Sequence, residues 1–304
     1  MLEVISQANK TEKILNKWYP MYSGIPSVSD YEACINSDIF KKIEKSSNDF
    51  ISKNEVALKK YPWSKDSLHS WSRQWEYPFA YDSIQRYVEQ NQNIDSIKIL
   101  DAGSGVTFFP YMIAQLPHVE VNCGDYDSRW VRIYDEINKN EKHSVAFQCV
   151  DLRKQLPYSS NDLDIIYCIS VLEHTGDFAL ILKEFKRVLK PGGLLIVTFD
   201  ISLDGHHDIN LEKSRKLLVE ISREFQPPTP LNFEQNLSKL VANPESYVTT
   251  NYILDYNREL LPCPWNETPI LTLKRIIKNR RIQKHDINLS FFCVTVQKRV
   301  NDGL

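Results

Sequence analysis

Between residues 96 and 200 the chain repeats one pattern: a short apolar run, a turn, then an amphipathic segment. Ile97-Lys98-Ile99-Leu100 runs into Asp101 and the turn Ala102-Gly103-Ser104-Gly105. Val119, Val121 and Cys123 alternate ahead of Gly124-Asp125, residues 144–150 form a third run, and Leu163 to Ser170 a fourth. Leu180, Ile181, Phe185, Val188 and Leu189 recur at helical spacing as far as Lys190-Pro191-Gly192-Gly193, and Leu194 to Phe199 is a fifth run. Buried strands read as short continuous apolar runs, and the helices that cover them read as stripes of period 3.6. Strands and helices alternating at this spacing imply a parallel sheet covered on both faces. The predicted architecture is α/β and doubly wound.

The flanks read differently and divide the chain. Residues 1–92 are helical with aromatic-rich connections. Ile39, Phe40, Ile43, Phe50, Ile51 and Leu58 lie on one face of a long predicted helix, and Trp71-Ser72-Arg73-Gln74-Trp75-Glu76-Tyr77-Pro78 follows. Residues 93–204 carry the strand–helix repeat. Residues 205–286 return to helical patterns, with Leu217, Leu218, Ile221 and Phe225 on one stripe and Leu271, Leu273, Ile276 and Ile277 near another. Residues 287–304 hold a last strand at 288–298. The reading is thus an N-terminal lid segment, a core, a helical cap insertion and a strand that completes the core sheet.

Composition narrows the function classes. Thirty-seven Lys and Arg against 39 Asp and Glu leave a net charge of −2, which argues against bulk electrostatic capture of nucleic acid. The basic run from Lys274 to Lys284 reads either as a solvated helix face or as a local contact to RNA or a phosphorylated sugar. The apolar runs are strand-sized and fall short of the roughly 20 residues that a membrane span needs. The N-terminal residues lack a basic start followed by an apolar stretch, so no secretory signal is read there, and the expected location is cytoplasmic. The six cysteines are scattered, without a C-x-x-C pair or a finger-spaced His, so no metal site or disulfide framework is expected. Cys123, Cys149, Cys168 and Cys293 lie in apolar runs and are expected to be reduced and buried.

Chemistry gathers at the strand ends, because ligands of open parallel sheets bind outside the carboxyl ends of the strands. Glycines at 103 and 105 permit a sharp turn and close approach of a ligand. They do not form the dinucleotide fingerprint, since Val106, Thr107, Phe108 and Phe109 follow. Asp101 at the first strand end suits a ligand with a cationic group and no phosphates. Asp125, ending the second strand, can accept both hydroxyls of a ribose. Asp151, after the third, can accept from an adenine amino group.

These residues, with Leu163-Asp-Ile-Ile-Tyr-Cys-Ile-Ser-Val-Leu-Glu-His174 and Leu189-Lys-Pro-Gly-Gly-Leu-Leu-Ile196, resemble the class I S-adenosylmethionine-dependent methyltransferases of the methyltransferase 11 type. The resemblance spans roughly residues 96–200. One departure is Thr107, where the family often has a third glycine. The resemblance implies a Rossmann-like sheet of seven strands with the last antiparallel, and S-adenosylmethionine as cofactor. It also implies cofactor contacts from Asp101, Gly103, Gly105, Asp125, Tyr126, Asp151, Leu152 and Ser170.

The implied activity is methyl transfer to an O or N nucleophile of a small molecule, a sugar or natural-product intermediate in biosynthesis. Methylation of a protein or RNA, and a regulatory cofactor-binding protein without turnover, are the alternatives. His174 and His206 are candidate general bases; His174 also reads as a structural histidine of its turn, and the His206-His207 pair as solvated. In the aromatic segment, Arg73 is read as a partner for the cofactor's carboxylate. Trp75, with Trp71 and Tyr77, is read as a shield over the sulfonium. The bland reading of the same segment is packing of the N-terminal helices.

Overall fold

In the computed structural model the described residues are 21–205, 209–228, 231–261 and 288–300. Six strands form one sheet in the order β3-β2-β1-β4-β5-β6. They are β1 (Ile97–Ala102), β2 (Val119–Asp125), β3 (Ala146–Cys149), β4 (Leu163–Ile169), β5 (Leu189–Ser202) and β6 (Leu289–Gln297). Neighbours run parallel except β5 and β6, which pair antiparallel from Leu194↔Gln297 to Ser202↔Leu289. The doubly wound order follows from the alternation of strands and helices, because each parallel return needs a crossover, here mostly helical.

The resemblance implied seven strands, and the described residues hold six. β6 lies directly beside β5, and its outer edge is already occupied. The Gly24 N–H donates to the Cys293 carbonyl at 2.7 Å and the Cys293 N–H returns to Gly24 at 2.9 Å. Gln226 and Gln297 exchange a similar pair at 2.9 and 2.7 Å, and the Thr295 N–H donates to Ser23 Oγ at 3.0 Å. Much of the edge that a further strand would pair with is thus taken by irregular segments.

Helices cover both faces. On one face lie α1 (Val28–Ile35), α2 (Asp38–Lys53), α3 (Glu55–Leu58), α4 (Arg73–Gln90), α5 (Phe109–Ile113) and α6 (Trp130–Asn140). On the other are α7 (Phe178–Val188), α8 (Leu211–Glu224) and α9 (Phe233–Ala242). α10 (Thr250–Asn257) returns to the first face through Ile253. α7 buries Ile181, Leu182, Phe185 and Val188, a stripe of period 3.6. Leu180 falls outside that stripe and is exposed.

Three boundaries differ from the sequence reading, each for a local reason. The helix predicted across residues 39–58 breaks at Asn54. There the side-chain amide donates to the Phe50 carbonyl at 3.0 Å and to Glu141 at 2.7 Å, capping α2 before α3 begins. Lys190-Pro191-Gly192-Gly193 ends α7 as expected but lies within an irregular β5, whose register against β4 shifts between Leu163 and Ile165. Residues 73–78, read as a connection, are the first turns of α4. Cys149 is exposed rather than buried, because β3 is a short edge strand. Cys123, Cys168 and Cys293 are buried as expected, and Cys263 lies outside the described residues.

Candidate active site

The turn after β1 is shaped by two glycines in the left-handed region. Gly103 has φ +80° and Gly105 φ +53°. A Cβ on Gly103 would meet Val171 Cγ2 at 2.5 Å, and one on Gly105 would meet the Tyr61 hydroxyl at 2.6 Å. The Gly103 and Ser104 N–H groups donate to the Gly124 carbonyl at 2.7 and 3.1 Å, folding the turn back over β2. From α6, the Tyr134 hydroxyl donates to the Gly105 carbonyl at 2.9 Å. The turn is therefore rigidly held before any ligand arrives.

Two cavities meet at this turn, sharing Gly103 and Val171. The larger, about 540 Å³, is lined by Asp125, Tyr126, Asp151, Leu152, His174 and their neighbours. Asp125 is nearly buried and accepts from the Gly105 N–H at 2.9 Å and the Asp127 N–H at 3.1 Å. Asp151 sits at the rim, where hydrogen bonds from the Arg153 guanidinium, at 2.9 and 3.0 Å, hold its carboxyl down at about 2. It is a fixed anion throughout the neutral range.

The smaller cavity, about 220 Å³, contains Asp101, Tyr167, Ser170, Arg73, Tyr77 and residues of the α3–α4 connection. Asp101 is buried, and burial pushes its carboxyl up to about 8, with the nearby Tyr167 hydroxyl opposing the rise and the charge of Asp125 adding to it. The Tyr167 hydroxyl is buried and faces the Asp101 carboxyl. Ser170, at φ +48°, is strained for a residue with a side chain. Its hydroxyl donates to Glu76 Oε1 at 2.8 Å and accepts from Arg73 Nη1 at 2.6 Å. Arg73 also pairs with Glu76 Oε2, to which Ser72 Oγ donates at 2.8 Å. Glu173, one turn beyond Ser170, accepts from the Asp200 N–H at 3.1 Å; burial and the charges of Asp200 and Glu76 drive its carboxyl upward.

The structure thus distributes the sequence-selected residues over two joined cavities. Asp101, Gly103, Gly105, Ser170 and Arg73 line the smaller, and Asp125, Tyr126, Asp151 and Leu152 the larger, which Gly103 also touches. Trp75 is not brought there: it is fully buried in the core, edge-on to Tyr22 at 6.1 Å. Arg73 reaches the cavity with Nη1 already engaged by Glu76 and Ser170. His174 is exposed and lies on the Asp125–Asp151 side, away from Asp101. His206 and the basic run at 274–284 lie outside the described residues. Sequence reasoning missed Tyr61, Trp63, Glu76 and Tyr167. Tyr167 alone carried a signal, as a polar tip within an otherwise apolar strand.

A cationic N–H donor is the group this arrangement lacks. Asp101 is a buried carboxyl faced only by the Tyr167 hydroxyl and by another acid, Asp125, beside a turn that a Cβ would fill. A pyrophosphate would bring like charge onto Asp101. The amino-acid ammonium of S-adenosylmethionine matches the deficit, and the two joined cavities match a nucleoside with an amino-acid arm. Among the described residues, no group of three or more His, Cys, Asp or Glu is placed to hold a metal ion.

Comparison with known proteins accords with this geometry. Residues 100–197 match the family model described as a methyltransferase domain. The sterol 24-C-methyltransferase of Aspergillus fumigatus is 30% identical over 152 residues, 47% of this chain and 40% of that protein. The tRNA U34 carboxymethyltransferase of Campylobacter curvus is 25% identical over 138 residues, 42% of this chain and 45% of that one. These matches span less than half the length of either curated relative. Among solved structures, the cyclase SpnF aligns with 92% of this chain and 100% of its own at 18% identity and a TM-score of 0.49. The matched segment, residues 100–197, is thus similar to a methyltransferase domain, and it carries the Gly103–Gly105 turn and the acids at the strand ends.

Proposed function

We propose that the protein moves a methyl group to an O or N nucleophile of a small molecule, a sugar or natural-product intermediate. The observation that carries this reading is the buried Asp101–Tyr167 pair beside the Gly103–Gly105 turn, at the junction of two cavities. In this reading Asp125 accepts from the ribose hydroxyls, and Asp151 with Leu152 and Tyr126 bounds the adenine. Asp101 and Tyr167 hold the ammonium.

When bound, the cofactor supplies a methyl already activated on a sulfonium. The protein's task is alignment and exclusion of water, worth roughly 7–11 kcal/mol when the geometry is right. Tyr61, Tyr77, Phe109 and Tyr167 wall the smaller cavity with aromatic faces. Such faces favour a cation by roughly 0.5–2 kcal/mol. Ser170 is the group we place to receive the acceptor's proton, passing its own to Glu76. His174 remains the alternative base for an acceptor that enters from the nucleoside side.

A small molecule is favoured over nucleic acid by the near-neutral net charge and by the small volume, about 220 Å³, of the aromatic-walled cavity. No helix among the described residues is long and apolar enough to cross a membrane. The test is incubation with methyl-labelled S-adenosylmethionine and separate small-molecule, protein and RNA fractions of a cell extract. Label in the small-molecule fraction is expected. Label confined to protein or RNA overturns the acceptor class, and binding without label transfer to any fraction supports a non-catalytic role instead.

A further inference from the structure

The connection between α3 and α4 roofs the smaller cavity, contributing Tyr61, Trp63, Ser64, Ser67 and Ser70 to its lining. Leu68 is fully buried and Tyr61 packs edge-on against Trp130 at 5.0 Å, so both ends of the roof are anchored. Between them Trp63 is 69% exposed, and little apolar surface holds the stretch down. Ser67 faces the Tyr77 hydroxyl of α4, and a further polar contact ties the stretch to α2. His69 Nδ1 lies 2.7 Å from Asp66 Oδ2, within the same connection, and Nε2 lies 3.2 Å from Glu44 Oε1 on α2.

The hydrogen-bond chemistry of that arrangement is restrictive. A carboxylate can only accept, and a neutral imidazole carries a single N–H. Two carboxylates, one on each ring nitrogen, are both satisfied only by the imidazolium. The bond to Asp66 is the shorter and is local in sequence, so it retains its proton more readily. Loss of the proton from Nε2 turns a lone pair toward the Glu44 oxygen, and the tie to α2 becomes a repulsion.

We propose that His69 is a proton-operated latch on the roof of this cavity, closed as the imidazolium bridging Asp66 and Glu44 and released when the ring becomes neutral. The inference rests on the reading of the cavity as the cofactor and acceptor site. The charged groups facing the ring are Asp66 from its own segment and Glu44 from α2. The hydrogen bond that the ring donates to Asp66 raises the histidine's pKa above its ordinary value, and burial opposes it only in part. The latch therefore opens as pH rises through a value above the usual histidine range, and admits ligand faster in its open form.

The ring is 31% exposed, so the tie is modest, of the size measured for partly exposed ion pairs, which corresponds to about a twofold to fivefold change. The experiment is stopped-flow association of S-adenosylhomocysteine from pH 6 to 9, with hydrogen exchange of residues 61–70 corrected for its intrinsic pH dependence. Both are run on the intact protein and on His69→Gln and Glu44→Gln. Because Asp101 also titrates in this range, the readout is the difference between the protein and each variant. In the unaltered protein, association and exchange should rise about twofold to fivefold through one titration above that of a free histidine. Both variants should lack that step, because an amide does not titrate and can donate as well as accept. A His69→Gln protein that keeps the step, or an unaltered protein without one, overturns the latch. Persistence of the exchange step with no binding of S-adenosylhomocysteine would overturn the reading of the cavity and leave the latch standing.

Discussion

Replacing Asp101 with Asn removes an acid that the fold holds at an energetic disadvantage. Its carboxyl is pushed from 3.8 to about 8, chiefly by burial. A folded-state pKa above the unfolded one means that the native state retains a proton the unfolded chain has lost. Stability is therefore fully present below about pH 4, falls as pH rises toward 8, and is level above that. At about 1.4 kcal/mol per pH unit, the loss at pH 7 is roughly 4 kcal/mol. Asn keeps the shape and does not titrate, so Asp101→Asn should be more stable than the parent by up to about that amount at pH 7, and nearly equal to it at pH 4. Urea unfolding at pH 4, 5.5, 7 and 8.5 measures the difference. The same change removes the anion that faces the ammonium, and S-adenosylmethionine binding should weaken by about 1.5–3 kcal/mol, the usual worth of a hydrogen bond to a charged group. A stabilised protein that no longer binds is the signature of a residue kept for function. Equal stability at every pH, or a variant that binds as before, would refute the reasoning.

Other substitutions probe the turn and the buried ion pair. Gly103→Ala brings a Cβ to 2.5 Å from Val171 at φ +80°; thermal melting should show a loss of roughly 1–3 kcal/mol, and cofactor affinity should fall with it. Arg73→Ala leaves the fully buried Glu76 without its cation, so a stability loss of about 3–5 kcal/mol is expected, with Arg73→Lys recovering part of it. The reading of Arg73 as a simple cofactor clamp predicts instead weaker binding at unchanged stability, and calorimetry beside melting separates the two. Ser170→Gly relieves a backbone at φ +48° but leaves the buried Glu76 Oε1 without its hydroxyl donor, so melting should show a net loss of about 1–2 kcal/mol. If Ser170 relays a proton, labelled-methyl transfer by Ser170→Gly should fall by about 10²–10⁴-fold with cofactor affinity unchanged.

The strands and the acids at their ends were legible because burial on both faces makes a parallel strand an unbroken apolar run, and a ligand edge punctuates it with Gly and Asp. What the pattern did not carry was position within the sheet. Residues 144–150 read as a strand like the others, yet β3 lies at an edge and leaves Cys149 exposed. The outer edge of β6 is closed by Gly24 and Gln226, contacts that span hundreds and tens of residues and leave no periodic trace. The aromatic segment was legible as unusual but not as core or lid, since Trp75 and Tyr77 are two apart and either face of α4 could have met the sheet. The roof over the smaller cavity has no regular structure, and nothing in Tyr61-Pro62-Trp63-Ser64 announces the glycine turn beneath it. The Arg73–Glu76 pair is an i, i+3 match that occurs on many exposed helices; its burial comes from tertiary packing.

The most direct measurement is isothermal calorimetry of the protein with S-adenosylmethionine and, separately, with NAD, repeated on Asp125→Ala. The account predicts one site for S-adenosylmethionine, weakened by at least about 1–3 kcal/mol in Asp125→Ala, and no heat with NAD. Tight binding of NAD with no response to S-adenosylmethionine would contradict it.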